Sequence, residues 1–150
     1  MSEWTKGEYT ISTDRERLNV EMIHHYLAKE SYWAKGRPLA VLQTAINHSL
    51  CFGLYQEDQQ IGFARLVTDY AVFAYLADVF ILPTHQGHGL GKWLIQTILQ
   101  VPELQNIGRW TLNTRDAHGL YAQSGFGPIT QPELAMELRR TPPRLQKDQQ

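Results

Sequence analysis

The chain has 150 residues, a formal net charge of −1, 43% hydrophobic residues and 19% charged ones. That balance fits one globular domain with a full core and excludes a disordered chain. It supplies no electrostatic footprint for nucleic acid, and no stretch approaches the roughly 20 apolar residues of a membrane span, so neither partner is expected.

Residues 1–14 are polar and charged, without the apolar segment of a secretion signal. Tyr9 to Thr13 reads as a short strand. Thr13-Asp14-Arg15-Glu16 has the pattern of a capping box, and Leu18, Met22, Ile23, Tyr26 and Leu27 give the helix after it an apolar face. Lys35-Gly36-Arg37-Pro38 breaks that helix, and Pro38 suits the first position of a second one, with Leu39, Leu42, Ala45, Ile46 and Leu50 toward the core. Cys51 to Gln56, Gln60 to Thr68 and Phe73 to Leu82 read as strands joined by connections too short for parallel crossovers, hence an antiparallel meander. Cys51 is the single cysteine, so no internal disulfide forms, which fits a reducing cytosol and a cytoplasmic protein.

The stretch Leu82-Pro83-Thr84-His85-Gln86-Gly87-His88-Gly89-Leu90-Gly91-Lys92 then opens a helix, with Leu94, Ile95, Ile98 and Leu99 at helical spacing. A buried strand feeding a glycine-rich turn and a helix start points to an anion. The first helical turn leaves backbone N–H groups unpaired, and glycines let the backbone approach a phosphate. The Walker A pattern fails, because Gln86 stands where its first glycine belongs and Trp93 where its hydroxyl belongs. The dinucleotide fingerprint fails at Lys92, where its third glycine belongs. Pro102 ends the helix; Arg109 to Thr114 is a strand reached by a helical crossover. Asp116 precedes a short helix from Ala117 to Ser124, with Gly125 after it. Phe126 to Ile129 and Leu134 to Arg139 read as late strands. Residues 1–140 form the expected domain and 141–150 a disordered tail.

Gln86-x-x-Gly89-x-Gly91 resembles the pyrophosphate loop of the GNAT N-acetyltransferase family. Ala117-His118-Gly119-Leu120-Tyr121-Ala122-Gln123-Ser124-Gly125-Phe126 is similar to that family's A-x-x-hydrophobic-Tyr-x-x-x-Gly-Phe segment. One departure is Thr114, where the family often has Asn. The resemblance runs from Tyr9 to Arg140. It implies a single α/β (α+β) domain: a central mixed, mostly antiparallel sheet, flanked by helices, with a cleft where the strand before the loop splays from the next.

The same resemblance implies transfer of the acetyl group of acetyl-CoA, as co-substrate, to a primary amine on a small molecule or peptide. Backbone groups of Val79, Phe80 and Ile81 would pair with the pantetheine arm, and the Val79 N–H would polarise the acetyl carbonyl. Gln86, Gly87, His88, Gly89, Leu90, Gly91 and Lys92 would hold the pyrophosphate, with Thr114 contributing a hydroxyl. Tyr121 is the candidate general acid. The glutamate that serves several relatives as base falls in register on Tyr75, so no carboxylate carries over. Asp78, the lone charge of its strand, is one candidate base, and an Asp78–Arg65 ion pair is the alternative reading; Tyr75 or His118 could relay the proton through water. Trp33, Tyr32 and Arg65, with Tyr70, are candidates for the acceptor pocket. His24-His25 and His85/His88 lack metal-site spacing, so no metal is expected. A rival reading is a non-catalytic acyl-CoA-binding module of the same fold. Dimers are common in the family, which leaves a homodimer open.

Overall fold

The computed structural model describes residues 1–144. Its order is β1 (Glu3–Lys6), β2 (Tyr9–Ser12), α1 (Val20–His25), α2 (Leu39–Asn47), β3 (Leu50–Gln56), β4 (Gln59–Thr68), β5 (Phe73–Ile81), α3 (Leu90–Leu99), β6 (Arg109–Leu112) and α4 (His118–Ala122). The strands form one sheet in sequence order, antiparallel from β1 to β5 and parallel between β5 and β6. This is the mixed α/β sheet expected, with β1 as an addition. The β1 strand is four residues long, and only Trp4 of it packs against the core, so it carries no alternating signal. Its turn into β2 is made at Gly7, whose φ of 61° favours glycine.

The sheet separates two apolar layers. On one face α3 presents Leu90, Leu94, Ile95 and Ile98 to Phe52, Leu54, Ala64, Leu66, Ala74 and Leu76. On the other, Ile23 and Leu27 join Leu42 and Ile46 of α2 over Cys51, Phe63 and Phe80. The period-2 alternation of strand side chains is what lets one sheet serve both layers. In β5 that alternation is interrupted. Arg65 pairs with Ala77 and Phe63 with Phe80, so Asp78 and Val79 share one opposing residue, Ala64, in a β-bulge. Asp78 takes a φ of 54° there. Leu76 therefore faces the α3 layer, whereas Phe80 faces the α1–α2 layer.

Helix α1 starts later than the capping-box pattern suggests. Asp14 caps only a 3₁₀ turn, Arg15–Arg17, and Asn19 caps α1 itself by accepting from Met22 N at 3.1 Å. Two capping residues five positions apart compete, and the second begins the helix. Helix α1 then widens into a π turn over Tyr26–Glu30. Pro38 is the N-cap of α2 rather than its first helical residue.

The two late strands do not form. Among the described residues, 126–144 contain no strand and a single 3₁₀ turn at Pro132–Leu134. A strand needs a neighbour to take its backbone hydrogen bonds, and this segment has none among the described residues. Leu134, Met136 and Leu138 stand 71%, 98% and 80% exposed. Residues 141–144 are exposed and without regular structure; the rest of the expected tail lies outside the described residues. Among the described residues no helix is long and apolar enough to cross a membrane.

Ile98 of α3 is completely buried, whereas Gln96 of the same helix is exposed. Urea denaturation should show Ile98→Ala losing about 2–5 kcal/mol and Gln96→Ala changing by about 0.5 kcal/mol or less.

Candidate active site

Strands β5 and β6 are paired only from Phe73/Arg109 to Leu76/Leu112. Beyond Leu76, β5 continues to Ile81 bonded to β4 alone. The backbone edge from Ala77 to Val79 thus opens onto a cleft of about 750 Å³, whose lining also includes Tyr75, Thr114 and Tyr121. The expected splay between the strand before the glycine loop and the next one is present. Phe80 sits in the α1–α2 layer with its ring stacked 4.0 Å from that of Tyr26, so only its backbone can serve a ligand in the cleft.

The bulge turns the Asp78 side chain away from the α3 layer. One carboxylate oxygen accepts from Arg65 Nε at 2.8 Å and an Arg37 terminal nitrogen at 2.9 Å; the other accepts from Trp33 Nε1 at 2.8 Å. The Asp78 side chain is 1% exposed. Burial alone would raise its carboxyl pKa, but Arg65 and Arg37 outweigh that and hold it below the usual carboxylate range. A carboxylate so engaged is a poor proton acceptor, and the geometry is that of the ion-pair reading, extended by Arg37. Trp33 and Arg65 reach the cleft as expected, but their polar groups are committed to Asp78.

Tyr32 also lines the cleft. Its hydroxyl accepts from the Arg115 backbone N–H at 2.8 Å, and the Arg115 guanidinium lies 3.9 Å over its ring. Tyr70 lies on the β4–β5 turn, exposed and outside the cleft lining. Tyr75 faces the cleft and its hydroxyl accepts from Asn113 Nδ2 at 3.3 Å. His118 lines a separate groove beyond β6. The Thr114 hydroxyl accepts from Ala117 N at 3.0 Å and so fixes the approach to α4, which lacks a side-chain cap of its own. Tyr121, on α4, is 9% exposed and borders both the cleft and that groove. Burial, with smaller contributions from Tyr32 and Asp116, pushes its phenol up to about 12, so it stays protonated across the neutral range.

At the end of β5 the chain makes a 3₁₀ turn, Pro83–His85, and enters the glycine loop. Gly87 and Gly89 have φ of 85° and 75°, left-handed conformations that disfavour side chains. Gly89 is the N-cap of α3 and no side chain caps the helix, so its first N–H groups remain available to a ligand. A Cβ at either glycine would meet nothing within 4 Å, so backbone conformation rather than crowding calls for glycine there. Gln86 donates from Nε2 to the Ile81 carbonyl at 2.9 Å, closing the loop onto the last residue of β5. His88 and Lys92 are exposed, while Leu90 is buried in the core and can offer only its backbone.

Arg37, Asn113 and Arg115 were not among the residues the sequence singled out. The first two act through side chains brought in from loops far along the chain, with no local spacing to betray them.

Residues 20–126 match the model of the acetyltransferase (GNAT) family, and the chain belongs to that family. A candidate acetyltransferase of Gibberella zeae, FG08082, is 38% identical over 141 residues, covering 81% of this chain and 80% of that one. A crystal structure of a candidate GNAT acetyltransferase from Xanthomonas campestris is 47% identical, with a TM-score of 0.86 over 88% of this chain and 93% of that one. The fold is shared, at 15% identity and a TM-score of 0.61, by a Clostridium acetobutylicum protein crystallised with acetyl-CoA; the match covers 87% of this chain and 94% of that one.

Removing Asp78 would strand two arginines. Asp78→Ala should lose about 3–5 kcal/mol at neutral pH. Because the folded-state pKa is depressed, the carboxylate's contribution is complete above about pH 4, the unfolded value, and is lost as pH falls through the folded one. Denaturation series should therefore show wild-type stability falling below about pH 4 more steeply than that of the variant.

Proposed function

We propose that the chain transfers the acetyl group of acetyl-CoA directly to a primary amine. The observation that carries this reading is the edge of β5 from Ala77 to Phe80 that β6 leaves unpaired, running from the cleft that Tyr121 borders toward the glycine loop, where Gln86 takes the Ile81 carbonyl. An extended pantetheine arm can lie along that edge as an added strand, with the pyrophosphate at Gly87, Gly89 and the start of α3. In that pose the Val79 N–H is the donor for the oxyanion that develops as the amine attacks; such a donor is often worth a few kcal/mol. Tyr121 then protonates the departing thiolate. A phenol near 12 is a weak acid for an ordinary thiol, but desolvation raises thiols too. A thiolate that forms away from bulk water is a stronger base than a solvated one, which narrows that gap.

The amine must lose a proton first. With Asp78 engaged by three donors, we assign that proton to water held near the Tyr75 and Asn113 polar groups rather than to a carboxylate. Arg37 and Arg65 favour the neutral amine over the ammonium ion. The same engagement of Asp78 favours a second reading, a non-catalytic acyl-CoA-binding module.

Thermal unfolding with acetyl-CoA at 100 times its dissociation constant should add about 2.7 kcal/mol of stability, with ATP and NAD giving no shift. A shift with no thiol release from any amine in a broad panel supports the second reading; no shift at all rejects both. Tyr121→Phe should keep the acetyl-CoA shift and lower kcat about 10²- to 10⁴-fold; unchanged turnover would remove Tyr121 from the chemistry.

A further inference from the structure

The geometry points to an acceptor that carries a carboxylate as well as its amine, an inference that rests on the acetyl-transfer reading. Arg37, Arg65 and Arg115 face the cleft against Asp78 and Asp116, leaving one positive charge in excess. Arg139, at the rim, is balanced by Glu137 at 2.7 Å. Asp78 offsets one of its two arginines, and stacking on Tyr32 occupies the face of the Arg115 guanidinium, a contact compatible with hydrogen bonding through its edge. A planar carboxylate matches a guanidinium fork in shape and charge. A dicationic acceptor would add charge where positive charge is already in excess.

The test uses pairs that differ only in that group: 4-aminobutyrate against 4-aminobutanamide and 6-aminohexanoate against 6-aminohexanamide, with acetyl-CoA and thiol detection. The acids should show kcat/KM at least about tenfold above the amides, a difference of 1.4 kcal/mol. Arg115→Met should bring the ratio toward one, and added salt should erode it. Turnover with the amides equal or preferred overturns the carboxylate inference and leaves acetyl transfer standing. Absence of turnover with every amine, despite acetyl-CoA binding, overturns both.

Discussion

A buried carboxylate dictates how the centre of this molecule is assembled. Asp78 lies in an otherwise apolar strand, and an unpaired charge there would be very costly. The three donors that compensate it come from two places: Trp33 and Arg37 from the segment between α1 and α2, and Arg65 from β4. Satisfying one residue therefore fixes the position of a loop and two strands at the point where β5 parts from β6. Buried ion pairs are weak contributors to net stability compared with apolar packing of the same volume. The value of this one lies in placement. It holds the bulge, and the bulge turns the cleft edge of β5 outward.

Desolvation sets the chemistry of the cleft as much as charge does. Tyr121 and Cys51 are both pushed upward by burial, the first at the cleft and the second in the layer behind it. Protons on such groups leave reluctantly, and a neutral phenol is kept available at neutral pH as a donor. Gln86 and Thr114 show a different economy. Both belong to motifs associated with coenzyme binding, and both spend a hydrogen bond on shaping the backbone that does the binding.

The glycine loop was legible because its requirement is written in one residue type. Positive φ at Gly87 and Gly89 leaves little choice of side chain. The antiparallel meander was legible from the shortness of its turns. On the acceptor side of the cleft Tyr32, Trp33 and Arg65 were legible, whereas Arg37, Asn113 and Arg115 join that lining from loops that no periodic pattern marks. Asp78 stood out as a lone charge, and its pairing with Arg65 was one of two readings; the second arginine and the indole were invisible. The segment 134–139 has a strand's alternation without a strand's neighbour, since alternation records which side chains want burial and says nothing about where the backbone finds its bonds. The polar strand β1 failed in the opposite sense, having a partner in β2 and almost no alternation.

The extra residue at Asp78 also works as a reading frame. Ahead of it, Ala74 and Leu76 belong to the α3 layer; after it, Val79 and Ile81 do, and Phe80 belongs to the opposite layer. Deleting one residue here would move every later side chain of β5 to the wrong face, detaching Phe80 from Tyr26 and misaligning the entry to the glycine loop. Length variation in this strand is therefore forbidden in steps of one, whereas the exposed turn 69–72 between β4 and β5 can change length without shifting any layer.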